Sequence, residues 1–151
     1  MRNISFVAVH RGGHLSKEQH RQLIKWAVVC AENVLPLFGD IIDERLHDAL
    51  RVANTWECGG ASVGDARNSS VKAHEVARES AEPAANAVAR AVGHAVATAH
   101  MADHLLGPAW YGLKAVKSAG GSIAEERKWQ DSKLPPGTKD LVLTARKKRK
   151  V

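Results

Sequence analysis

Apolar residues recur every three or four positions through most of the chain, and Gly or Pro breaks separate the periodic stretches; this is the pattern of amphipathic helices. The first fifteen residues stand apart. There Ile4, Phe6, Val7 and Val9 form an alternating or extended apolar patch that turns at Gly12-Gly13, which fits a short strand or an irregular arm. Ser16 and Gln19 have the spacing of a capping box and predict a helix start. The stripe that follows is Leu23, Ala27, Cys30, Ala31, Val34 and Phe38, with Pro36 in its last turns or ending it early. Asp40 or Asp43 caps a second helix running to about Cys58, with Leu46, Ala49, Leu50, Ala53 and Trp56 on its buried side. Gly59-Gly60 stops it. Ser62 and Asp65 then open a third helix through about Ala81, whose inner face is built of small residues: Ala66, Ser69, Ser70, Ala73, Ala77 and Ser80.

The stretch from Pro83 to Leu106 carries the longest helical signal. Pro83 suits a first turn, where its missing N–H costs nothing, and Gly107-Pro108 is expected to end the run. So many alanines on several faces bury area only if other backbones come close, so this helix is expected at the centre. Pro108 starts a fifth helix with Trp110, Tyr111, Leu113 and Val116, and Ser122 to Glu125 caps a sixth after Gly120-Gly121. Leu134-Pro135-Pro136-Gly137 ends regular structure. The prediction is an all-α single domain of about six helices in an antiparallel array around the Ala-rich helix. It spans residues 1–138, with an arm over 1–15, and is followed by a basic disordered tail over 139–151, which lacks the apolar content to hold a fold.

Charge sharpens this division. The chain of 151 residues carries a net charge of +6, yet from Lys139 onward there are six basic groups and one acid. Residues 1–138 keep 16 basic and 15 acidic groups, a net of +1. A phosphate-binding face would gather Lys and Arg on one helix, whereas the body interleaves both signs. Nucleic acid is therefore expected to bind at most weakly, through Arg146, Lys147, Lys148, Arg149 and Lys150. Cys30 and Cys58, amid apolar neighbours, read as reduced buried thiols. No signal peptide and no apolar run of membrane-spanning length appears, which points to the cytoplasm and to no membrane partner.

Eight histidines invite a metal hypothesis. His100 and His104 share a helix face, and His94, His74 or a carboxylate would have to complete a site, but no HExxH or cysteine-pair signature accompanies them. Glu44 and His47 form a lone ExxH where a di-iron bundle needs two. His94 and His100, six apart, project about 120° away from each other and meet different neighbours. The residues predict no catalytic group, no metal and no cofactor. Buried polar groups or partner contacts are expected at His74, His94, His100, His104, Trp110, Tyr111 and Trp129, because Trp and Tyr are common interface anchors and a buried histidine must be hydrogen-bonded.

Five segments together carry a family resemblance: HRQLIKWAVVCAENVLPLF (His20 to Phe38), ALRVANTWECGG (Ala49 to Gly60), VGDARNSSVKAHEVAR (Val63 to Arg78), ARAVGHAVATAHMADHLLGPAWYGLKAV (Ala89 to Val116) and EERKWQDSKLP (Glu125 to Pro135). They resemble the all-helical, immunity-five-like family of immunity proteins in bacterial polymorphic toxin systems, and Gly93 to His100, GHAVATAH, is the most specific piece. Leu46 stands where the family pattern would place a proline. The resemblance implies a small cytoplasmic all-α protein that binds and neutralises a cognate protein toxin, with no catalytic residues to transfer. Two other classes remain open on the residues themselves: a metal-dependent helical enzyme built on His94, His100 and His104, and a nucleic-acid-associated protein acting through its basic tail.

Overall fold

Every regular element in the computed structural model, which describes residues 3–151, is helical. Asn3 to Leu15 form an arm of two single 3-10 turns, Ile4–Phe6 and Val9–Arg11, closed by an isolated Ala8–Leu15 bridge. Ser16 then caps α1, Lys17–Val34, through the reciprocal box with Gln19. Pro36 cannot supply an N–H to an α-helical ladder, and the chain leaves α1 through a 3-10 turn, Leu35–Phe38. Asp43 accepts from the Arg45 backbone N–H at the start of α2, Glu44–Glu57. Arg45 also ties the start of this helix to Glu79 at the end of the next. Ser62 and Asp65 close a full capping box on α3, Val63–Glu79.

The Ala-rich helix is shorter than its periodicity predicts. α4 spans Pro83–Ala97, the chain turns over Thr98 to Met101, and Ala102–Leu105 is a 3-10 turn that runs straight into α5, Leu106–Ser118. Gly107 and Pro108 therefore do not end a helix; they sit in the first turn of α5. Pro108 supplies the reason. Proline is tolerated in a first helical turn and breaks an interior, so a helix containing Pro108 has to begin just ahead of it. Met101 takes up the break in an extended conformation, φ −142° and ψ 112°.

α4 packs against α1, α2, α3 and α5. Its buried surface is Ala85, Ala87, Val88, Ala89, Ala91, Val92, Gly93, Ala95, Val96 and Ala97. Small side chains allow the backbones to approach: a Cβ on Gly93 would stand 2.7 Å from His74 Nε2, and Ser70 Oγ donates to the Gly93 carbonyl at 2.9 Å. A second apolar cluster joins Phe6 and Leu15 of the arm to Leu23, Trp26 and Cys30 of α1, and to Leu105, Leu106 and Ala109.

That cluster includes Val142 and Ala145, which overturns the expected disordered tail. After α6, Ile123–Ser132, the chain forms a seventh helix, α7, Lys139–Arg149. Its apolar side is short but paired with a buried cation. Arg146 is only 4% exposed; its guanidinium donates to Gln130 Oε1 at 2.8 Å, meets Asp131 at 3.0 Å and lies over the Trp26 ring. Gln130 is held in turn by donating to the Ala109 carbonyl, while Trp26 Nε1 donates to the Gln130 carbonyl. The cysteines also divide: Cys30 is buried, and burial pushes its thiol pKa up, whereas Cys58 at the end of α2 is exposed. Among the described residues no helix is long and apolar enough to cross a membrane.

Candidate functional site

Three helices and a 3-10 turn bring four of the anticipated polar and aromatic residues into one ladder. His74 comes from the middle of α3, His94 from the last turn of α4, His104 from the 3-10 turn and Tyr111 from α5. His74 and His94 meet edge to face with ring centres 5.1 Å apart. His94 also stacks on Tyr111 at 5.4 Å and 11° between planes, and the His104 ring lies 5.3 Å away. Gly107 makes the approach possible, since a Cβ there would stand 2.4 Å from His94 Cγ.

The hydrogen bonds constrain where protons sit. Arg90 Nη1 lies 2.8 Å from His74 Nδ1, and a guanidinium only donates, so His74 must accept there and carry its proton on Nε2. His94 Nδ1 and His104 Nδ1 are 3.2 Å apart, so one ring donates and the other accepts. A second proton on either acceptor would set donor against donor. Burial, and then the charges of Arg90 and Arg78, push the His74 pKa down to about 4. For His94 burial is again the largest cause, followed by His74 and His104, and its pKa also falls to about 4. His74 and His94 are neutral at pH 7 and resist charging.

Tyr111, His94 and His104 line a shallow groove of about 420 Å³ with Trp110, which is 40% exposed; Arg149 and Val151 border it from the chain's end. Lys114 Nζ lies 5.0 Å from the centre of the Trp110 ring and 5.5 Å from that of Tyr111. An exposed indole with a cation over it next to stacked rings is the composition of a protein-contact surface more than of a reaction centre.

His100 and Trp129 are not part of this arrangement. Trp129 lies on α6, its ring under Lys133. His100 Nδ1 is 3.3 Å from Arg67 Nη2, and the residue lines a different cavity of about 510 Å³. The trio His94, His100 and His104 is thus divided between two places. Among the described residues no group of three or more His, Cys, Asp or Glu side chains is arranged to hold a metal ion.

The second cavity contains a residue not anticipated as a site candidate. His20, in the first turn of α1, donates from Nε2 to the Thr98 carbonyl at 2.6 Å and packs its ring 4.7 Å from Trp56. Burial is the main reason its pKa is lowered, and the nearby charges of His10 and Arg11 act in the same sense. A signal for it was present: His20, Leu23 and Ala27 stand at the three- and four-residue spacing of the inner stripe of α1.

On this geometry the chain is an all-helical domain in which anticipated polar and aromatic residues line two concave surfaces, one of them built on a histidine ladder. The model of the Imm-5 like putative immunity protein family matches residues 13–137, and the chain belongs to that family. The match covers α1 through α6 and leaves out most of the arm and α7. No curated protein and no solved structure matches the chain.

Proposed function

We propose that the protein acts by binding, without turnover, and neutralises a cognate bacterial protein toxin in the cytoplasm. Family membership over residues 13–137 carries this reading. The surface chemistry around α5 supports it: Trp110 stands 40% exposed with Lys114 over its ring and Tyr111 beside it. Such a patch supplies aromatic area with little side-chain entropy to lose, as interface hot spots do. His74, His94 and His104 serve here as the rigid backing of that patch, His100 holds Arg67, and Trp129 is a candidate rim contact.

The test starts from the gene neighbourhood. A toxin-like reading frame beside this gene should kill when expressed alone, and co-expression of the present chain should restore growth. Trp110→Ala should weaken binding of that toxin by about tenfold or more while leaving the helical spectrum intact. Neighbourhoods without a secreted or toxin-like product in several independent genomes, together with no protection from any adjacent product, would defeat the proposal.

A further inference from the structure

The cavity beside His20 has a one-sided chemistry that the binding role above does not use. It encloses about 510 Å³, within the range that small-molecule sites occupy. Its wall is apolar, made by Leu15, Trp56, Val63, Ala99 and Ala102 among others. Its polar groups are nearly all basic: His10, Arg11, Lys17, His20 and His100 line it, and no Asp or Glu does. Over residues 1–138 the chain carries 16 basic and 15 acidic groups, so a mouth of one sign departs from the rest of the body. Arg11 and Lys17 are exposed, while His20 is fixed deeper by its bond to Thr98.

We propose that this cavity binds a small amphipathic anion. The apolar body of the ligand lies against Trp56, Val63 and Ala99, and its carboxylate, or a similar group, stays at the mouth in the field of Arg11 and Lys17. Burial of the apolar body supplies most of the affinity, and the basic mouth selects the sign of the head group, because Arg11 and Lys17 are among the lining residues and no acidic side chain is. The Thr98 carbonyl already occupies the Nε2 proton of His20, so the ring serves as a wall and keeps Trp56 in place.

Octanoate, 1-octanol and octylammonium share one apolar body and differ in charge, so they are the probes. Calorimetry on the full chain should show octanoate binding about tenfold tighter than 1-octanol, and octylammonium weakest. The Trp56 indole N–H should shift in the nitrogen–proton spectrum as octanoate is added. The double variant Arg11→Gln, Lys17→Gln should lose about fivefold to tenfold in octanoate affinity and leave that for 1-octanol and the melting temperature unchanged. Equal affinity for octanoate and 1-octanol, absence of binding, shifts that bypass Trp56, or a double variant that still prefers octanoate would each overturn the proposal. None of these results bears on toxin neutralisation, which is read from growth.

Discussion

Acidification from pH 7 to 5 should destabilise this fold through its histidine ladder, and the size of the effect follows from the structure. His74 and His94 titrate in the folded protein near 4, against 6.5 for an ordinary histidine. The folded pKa lies below the unfolded one, so the unfolded chain binds more protons in this window. Stability is therefore complete above about pH 7 and is lost as the pH falls from 6.5 toward 4. Linkage sets an upper figure of roughly 1.8 kcal/mol per ring between pH 7 and 5. Both rings keep partial contact with water, and screening brings this to about 1 kcal/mol each, or about 2 kcal/mol together. The paired carboxylates Asp43 and Asp65 also have lowered pKa values, but their contribution is lost only below about pH 5, outside the window. Urea unfolding followed by circular dichroism should show the midpoint falling by about 1 M between pH 7 and 5, for a slope near 2 kcal/mol per M. His94→Gln should reduce absolute stability and flatten the pH slope by the His94 share, relieving its neighbour His74 of a second cation and leaving the contribution of His20, whose pKa burial also lowers. A midpoint that holds constant or rises on acidification would refute the reasoning, since it would require rings that gain stability by being charged.

Arg146→Ala should lower the melting temperature by roughly 5–10 °C, since removing a buried cation leaves Gln130 Oε1 without its donor and costs about 2–3 kcal/mol in a chain of this size; a differential scan that finds the variant unchanged would mean α7 contributes nothing to the core. Ellman's reagent should titrate Cys58 in the native protein within minutes and Cys30 only after denaturant is added, because one thiol is exposed and the other is buried with its pKa raised; two fast thiols would show that α1 opens readily.

The helix starts were the most legible part of the sequence. Ser16 with Gln19, and Ser62 with Asp65, form the capping boxes their spacing predicts, because such a box is satisfied within four residues and needs no distant partner. Ser122 caps α6 by the same rule, accepting from the Glu125 N–H. The end of α4 was not legible, since Ala, Thr, His and Met over 98–101 have no strong helix-breaking chemistry. The α7 helix was hidden for another reason. A basic run of Arg and Lys reads as a solvated tail unless one of its cations finds buried partners, and Arg146 finds them in Gln130 and Asp131 on α6. The same burial reduces the cations available to nucleic acid, leaving Lys147, Lys148, Arg149 and Lys150 at the surface. Of the anticipated site residues, the grouping of His74, His94, His104 and Tyr111 needed the chain to double back. The spacing of His94 and His100 set them apart on the assumption of one continuous helix, whereas α4 ends at Ala97 and His100 lies in the turn beyond it; His94 meets His104, and His100 meets Arg67.

The break between α4 and α5 makes two arrangements of this segment mutually exclusive. In an unbroken helix His94 and His104, ten residues apart, would be displaced about 15 Å along the axis. The turn at Thr98 to Met101 brings their Nδ1 atoms to 3.2 Å. Helical continuity through His104 and histidine pairing are thus alternatives, and Pro108, seated in the first turn of α5, accompanies the broken form. The contact between the two rings is consequently a local gauge of whether α4 and α5 hold their angle. Any event that straightened this joint would separate His94 from His104, move Tyr111 off the stacked ring and shift Trp110 with it, carrying a change at the α4–α5 joint to the aromatic surface of α5.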